Sequence, residues 1–238
     1  MKTRFFNNSL RLISIIPLIV IALARCAGID KDYKHHNNGT TIGSSEGSGP
    51  SRVRDRDNRR YDAPVQIDPS TALASDRVKD YMNQQRQEMQ RELSEGLQSR
   101  SIVVQFLNDH TLHLTLPSQE FFDIYNANIH ANYQSSLTKV LSVISKFDKT
   151  VIHIIVHTDN TGTENYNRIL SQHQANAVAD FLNSHGVDNT RLRVEGRGED
   201  FPLFSNESKE GRQHNRRIEL FLKPIIEGKI DWAFWPPN

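Results

Sequence analysis

Cysteine is almost absent from this 238-residue chain, which contains only Cys26. One cysteine can neither staple a fold nor build a Cys-x-x-Cys metal site. An excess of one charge is also missing: 29 basic residues face 28 acidic ones, for a net charge of +1. The global signature of a nucleic-acid binder is therefore not there, and no nucleic-acid partner is expected. The apolar run Leu12–Ala24 covers about 13 residues and contains Pro17, short of the roughly 20 that a membrane-spanning helix requires. Neither a Ser-His-Asp arrangement nor a spaced carboxylate pair is readable, so no catalytic residues, cofactor or enzyme activity are expected. Gly196 and Gly198 form a Gly-x-Gly with no helix following; they read as turn glycines and not as a phosphate cradle.

What is present begins with an export signal over residues 1–25. Lys2, Arg4 and Arg11 precede the apolar run, the order of a signal peptide. Two readings of its end stay open. Leu23-Ala24-Arg25-Cys26 resembles a bacterial lipobox, in which the cysteine becomes the lipidated first residue, although Arg25 stands where a small residue is usual. Ala22-Leu23-Ala24 alternatively offers an A-x-A cleavage site. A sole cysteine just past an apolar run favours lipidation of Cys26. By resemblance to enterobacterial lipoproteins, Ala27 after it implies the periplasmic side of the outer membrane, reached through a lipid anchor.

Residues 26–69 read as a flexible polar linker. Asn37–Pro50 is rich in glycine and serine and lacks apolar periodicity. Ser51–Arg60 is arginine-rich, either a solvated linker or a contact for anionic lipid or an acidic partner. Residues 70–99 read as one amphipathic helix starting at Ser70 or Ser75, with Ala74, Val78, Tyr81, Met82, Met89, Leu93 and Leu97 as its apolar stripe. That stripe serves either to pack on the next domain or to meet an envelope protein.

Residues 100–223 change to an α/β (α+β) pattern. Ile102–Leu107 and Thr111–Leu116 read as strands joined by a turn at Asn108-Asp109-His110. Ile129, Tyr133, Leu137, Val140, Leu141, Ile144 and Phe147 mark a first helix, and Val151–Val156 reads as a buried strand. A second helix runs from a Thr163 cap to His185, with Gly186 at its end. Its expected buried face is Tyr166, Ile169, Leu170, Ala177, Val178, Phe181 and Leu182. Leu192–Glu195 and Arg217–Leu222 complete the strands, giving a mixed sheet with helices packed on one face.

His157-Thr158-Asp159-Asn160-Thr161-Gly162, Tyr166-Asn167-x-x-Leu170-Ser171, Gly186-Val187, Gly196-x-Gly198-Glu199-x-x-Pro202, Asn206, Gly211-Arg212 and Asn215-Arg216-Arg217-Ile218-Glu219 follow one another in order. This series resembles the OmpA-like C-terminal domain family, shared with peptidoglycan-associated lipoproteins and motor stators. The resemblance implies a β-α-β-α-β sandwich with an extra strand or hairpin and helices on one sheet face. It also implies non-covalent binding of peptidoglycan through the diaminopimelate end of the stem peptide, a zwitterion that calls for one fixed anion and one fixed cation.

By that resemblance Asp159 takes the ammonium. Thr161, Asn167 and Leu170 line the pocket, Phe122-Asp123 matches a ligand-side loop, and Arg216 is a second ligand-side arginine. Gln174 stands where the family has the arginine that takes the carboxylate, on the expected exposed start of the second helix, and Val156 stands where it usually has glycine. Asn167 and Arg216 alternatively brace loops. His153, His157 and Asp159 share strand parity, but the motif explains two of them without a metal, and none is expected.

The aromatic tail, residues 224–238, holds Trp232, Phe234 and Trp235. It either packs back on its own sheet or docks an envelope partner. Two functions compete: a lipoprotein tethering the outer membrane or an envelope complex to the wall, and a structural subunit of an envelope-spanning secretion system or motor with weak or no wall binding.

Overall fold

The computed structural model describes residues 68–98, 101–107, 109–122, 126–131 and 134–237. Cys26, Asp123, Tyr133 and residues 1–67 lie outside that set. The elements in chain order are α1 (Val78–Glu92), α2 (Ser94–Gln98), β1 (Val103–Phe106), β2 (Leu112–Pro117), α3 (Ser118–Phe121), α4 (Gln134–Lys146), β3 (Thr150–His157), α5 (Glu164–Ser184), β4 (Leu192–Gly198), α6 (Lys209–Asn215), β5 (Arg217–Pro224) and α7 (Ile230–Phe234). The five strands form one mixed sheet in the order β1-β2-β5-β3-β4. Only β3 and β4 run parallel, with α5 as their crossover; the other pairs are antiparallel.

Strand alternation splits the side chains between two faces. Leu112, Leu114, Leu116, Ile152, Ile154, Val156, Ile218, Leu220 and Leu222 share one buried cluster with Leu137, Val140 and Ile144 of α4 and Ala175, Val178 and Leu182 of α5. Each such aliphatic contributes about 1.5–3 kcal/mol. The α1 stripe of Val78, Met82 and Met89, continued by Leu93, enters the same cluster, and α1 lies on α4 and β1. The stripe is thus used within the domain.

Four local expectations are corrected. The single helix expected over residues 70–99 begins only at Val78 and breaks at Leu93 into two; it starts late because Leu73 spends its amide on Ile225 O at 2.7 Å and its carbonyl on Glu227 N at 3.0 Å, a strand-like bridge. The next long helix begins at Gln134, after Ile129 has paired with Phe122. On α5, Tyr166 and Ile169 are 40% and 42% exposed, whereas Asn167, Ser171 and Gln174 are buried. The reason lies in β4: Gly196 is a strand residue, not a turn. A Cβ there would meet Gln172 N at 2.1 Å, so α5 sits down on the strand and turns polar side chains inward.

Arg191 holds the far ends of α4 and β3 together. It donates through Nε to Thr150 O at 2.8 Å and through Nη2 to Phe147 O at 2.9 Å, and it reaches Ile144 O at 3.4 Å. Carbonyls at the end of α4 gain there a donor that the helix cannot supply. The aromatic tail lies on the sheet face away from the long helices. His153 Nε2 lies 2.8 Å from Ala233 O, Lys223 donates to Trp235 O at 2.9 Å, and Arg193 and Lys223 stack over Phe234 and Trp232. Trp232 and Phe234 are half-buried and Trp235 is exposed.

Two outcomes follow from this packing. Gln85 of α1 is fully buried, and neither its Oε1 nor its Nε2 has a hydrogen-bond partner among the described residues. Replacing an unsatisfied amide by an apolar group of similar shape removes a desolvation cost. Gln85→Leu is therefore expected to raise the urea unfolding free energy by about 1–2 kcal/mol; a loss of stability would reveal a bonded amide.

Burial pushes the His153 imidazole down to about 4, helped by Lys223, Arg193 and Arg197 and opposed by the Ala233 carbonyl. The unfolded chain takes up a proton here from about pH 6.5 downward, the folded chain only near 4, so stability falls as pH drops through that window. Between pH 7 and 4.5 the wild type should lose about 2–3 kcal/mol more than His153→Gln, which keeps a donor but does not titrate. Parallel urea curves at the two pH values check this, and equal losses would contradict it.

Candidate functional site

The site lies beyond the C-terminal end of β3. Thr158 N donates to Gly198 O at 2.8 Å, so the chain leaving β3 stays registered with β4. Asp159 then closes an Asx turn, accepting from Thr161 N at 2.8 Å. Gly162, at φ +105, reverses the backbone into α5. Thr163 caps that helix as expected, accepting from Tyr166 N at 3.2 Å. Asn167, buried in the first turn, donates to Asp159 O at 3.3 Å and to Glu199 Oε2 at 2.6 Å.

Opposite this loop, Arg216 leaves α6 and pairs through Nη1 with Asp159 Oδ2. Its Nη2 donates to Gln119 Oε1 at 3.0 Å, and its Nε has no partner among the described residues. Burial opposes charge on Asp159, but the Thr161 amide and hydroxyl and the Arg216 guanidinium outweigh it and hold the carboxyl below the usual range. The guanidinium side chain remains 27% accessible. The carboxylate keeps acceptor capacity for an ammonium, and Arg216 keeps donors for a carboxylate. The Asp159 side chain is 9% accessible, so the opposite charges stand side by side with the guanidinium as the more open partner, an arrangement that can take a zwitterionic group.

The structure thus brings Asp159, Thr161, Asn167 and Arg216 together. Leu170 is half-buried on the next turn of α5. Phe122 is a core residue, 2% exposed, and Asp123 is outside the described residues. Gln174 is not on an exposed helix start: it is 5% exposed, in mid-helix, and donates to Asn126 O at 2.7 Å. The seven residues from Asn167 place it about 10 Å further along α5. Its amide ties down the segment that follows the Phe122 loop.

Other motif residues brace the site. Asn215 Oδ1 accepts from Leu203 N and Phe204 N, both at 3.0 Å, holding the loop after β4. His157, buried, has Nδ1 3.0 Å from Asp200 O and Nε2 3.4 Å from Glu219 Oε2. Arg217 donates to Glu219 Oε1 at 3.0 Å. Burial opposes ionisation of Glu219, but His157 and Arg217 hold its carboxyl well below the usual range. His153, His157 and Asp159 are each engaged with different partners and do not converge.

Two site residues were missed from sequence. Glu199 carried a signal, its place in the Gly-x-Gly-Glu motif. Gln119 carried none, since only the tertiary fold brings it to Arg216, 97 positions away.

Residues 121–216 match the OmpA family model. The chain is 38% identical to the probable lipoprotein YiaD of Escherichia coli over 112 residues, 47% of this chain and 51% of that protein; it spans about half the length of that relative. Among solved structures it is similar to the cell wall anchor of the T6SS from Pseudomonas aeruginosa, with 29% identity and a TM-score of 0.53 over 58% of this chain and 99% of that one. A MotB-like protein from Desulfovibrio vulgaris, 23% identical with a TM-score of 0.56 over 63% of this chain and 94% of that one, shares the fold.

The Gln174 contact is open to direct measurement. Gln174→Leu should cost about 1–2 kcal/mol, because the Asn126 carbonyl loses its donor, and should speed amide exchange over residues 126–131. Unchanged stability and exchange would mean that the contact does not hold the loop.

Proposed function

We propose, from the premise that residues 121–216 form a domain of the OmpA family, that this chain tethers an envelope structure to the cell wall by binding peptidoglycan non-covalently. The observation that carries the reading is the Asp159–Arg216 pair at the open end of the domain. An ammonium set against Asp159 and a carboxylate set against Arg216 would reproduce the complementarity that a diaminopimelate stem end requires. Thr161 and Asn167 hold the anion in place. In this reading Cys26 carries the lipid anchor on the periplasmic side of the outer membrane, and residues 26–69 give the domain its reach. YiaD's description as a probable lipoprotein and the description of the P. aeruginosa protein as a cell wall anchor support it.

The buried, neutral Gln174 favours a second reading. A domain that lacks a cation there relies on Arg216 alone, as suits a structural subunit of an envelope-spanning secretion system or motor with weak wall affinity.

Co-sedimentation of the purified chain with sacculi decides between them. The wild type is expected to pellet with sacculi, and Asp159→Ala to lose affinity by about tenfold or more while keeping cooperative thermal unfolding. Undiminished pelleting of the variant would remove Asp159 from the site. A wild type that stays in solution would favour the second reading.

A further inference from the structure

Phe201 and Trp235 are the most exposed large apolar side chains among the described residues, and Phe201 alone of the two has a left-handed backbone. It is 66% exposed, and its backbone has φ +58. The left-handed region is disfavoured for a bulky residue. Among the described residues the other non-glycine there is His110, in the β1–β2 turn, where such a conformation closes a hairpin. Phe201 closes no hairpin. Buried groups hold its backbone: Arg217 Nη2 donates to Phe201 O at 3.0 Å, and His157 Nδ1 lies 3.0 Å from Asp200 O. Arg197 lies over its ring, 5.3 Å from the centroid. A strained, exposed aromatic held by buried partners is a pre-set contact surface.

That surface adjoins the candidate site. Gly198 O accepts from Thr158 N at 2.8 Å, Glu199 accepts from Asn167 at 2.6 Å, and Asp200 lies 3.6 Å from Arg168 Nη2. The loop that ends in Phe201 is therefore stitched to the Asp159 loop and to the start of α5.

We propose that Phe201 is a sugar-stacking subsite, receiving a pyranose face of the glycan strand whose stem peptide occupies the Asp159–Arg216 site. The proposal rests on the wall-binding reading and extends it from peptide to glycan. In the wall polymer the stem peptide is joined covalently to a sugar, so a ligand seated at Asp159 brings a sugar within a few residues' reach of the site, and the Phe201 loop is the one stitched to it. A pyranose offers a flat C–H face edged by hydroxyl and acetamido groups. Phe201 offers a flat apolar ring backed by Arg197, with Glu199, Asp200 and Arg168 on the same loop and the adjoining helix turn to meet polar edges. Because the loop is already ordered, stacking there costs little conformational freedom.

The test is calorimetric titration of the full-length chain in detergent with two probes: a tripeptide ending in diaminopimelate, and the same tripeptide on its N-acetylglucosamine–N-acetylmuramic acid disaccharide. The wild type should bind the disaccharide form about threefold to tenfold more tightly than the bare peptide. Phe201→Asn, which tolerates a left-handed backbone, should lose that gain and keep the bare-peptide affinity. Phe201→Trp should retain the gain. Equal affinity of the wild type for both probes overturns the subsite and points to a protein contact for the ring. A sugar gain that survives in Phe201→Asn overturns it too, and lost bare-peptide affinity in that variant reassigns the ring to the peptide pocket. If the wild type binds neither probe, the wall-binding reading itself falls.

Discussion

The close approach of α5 to β4 governs the architecture of this domain. At Gly196 only a hydrogen fits between strand and helix; a Cβ would also lie 2.4 Å from Gln172 Cα. With the helix backbone this low, its side chains reach the outer amides of an edge strand. Gly198 N donates to Ser171 Oγ and Gly196 N to Gln172 Oε1, each at 2.8 Å. An edge strand ordinarily presents such amides to water or to another chain. Here the crossover helix satisfies them, and the polar face of α5 is buried because it has work to do against the strand.

The site inherits its geometry from that contact. Asn167 lies on the same inward face as Ser171, one turn earlier, and so meets both the Asp159 loop and Glu199. Arg216 arrives from the other side, at the junction of α6 and β5, and Ser118 N fixes its carbonyl at 3.0 Å. The charges of the site therefore stand on loops anchored at both ends by the sheet, which limits the reorganisation needed to bind. Gln174, two turns along the same face, faces a loop carbonyl. Its neutral amide is spent on the Asn126 carbonyl, at 2.7 Å.

The two sheet faces divide the labour. The face toward the long helices is aliphatic and contributes the hydrophobic free energy. The other face carries His113, His153, His157, Arg217, Glu219 and Lys223, all buried. Such groups stabilise only when paired, and the pairing is local. Glu219 draws in Arg217 and His157, His113 stacks on Phe221 at 4.1 Å, and the C-terminal tail closes over His153 and Lys223. The same braces reach Asp200 and Phe201, so the rim of the site rests on this polar layer.

Element order, the mixed sheet and the neighbourhood of Asp159 were legible from sequence, because strand alternation, the Thr163 cap, the Gly186 terminus and an ordered motif series are local signals. The buried face of α5 was not. Apolar periodicity pointed to Tyr166 and Ile169, but the missing side chain of Gly196 let the helix settle where polar residues face inward. Gln174 is buried because the chain at Asn126, 48 positions away, lies against it, a contact that helical periodicity does not carry. The tail's sequence shows aromatic residues without saying what covers them, and only the fold puts Ala233 beside His153. The pairing of Arg216 with Asp159 and Gln119, across 57 and 97 positions, leaves no trace in spacing, since it depends on how loops from three strands converge at one end of the sheet. What the sequence by itself determined is which segments become strands and long helices and which motif residues resemble one family; the short helices α3, α6 and α7 appear only in the fold. Which of those side chains are buried, paired or left open to a ligand was decided by the tertiary structure, because burial and pairing depend on distances between segments far apart in the chain.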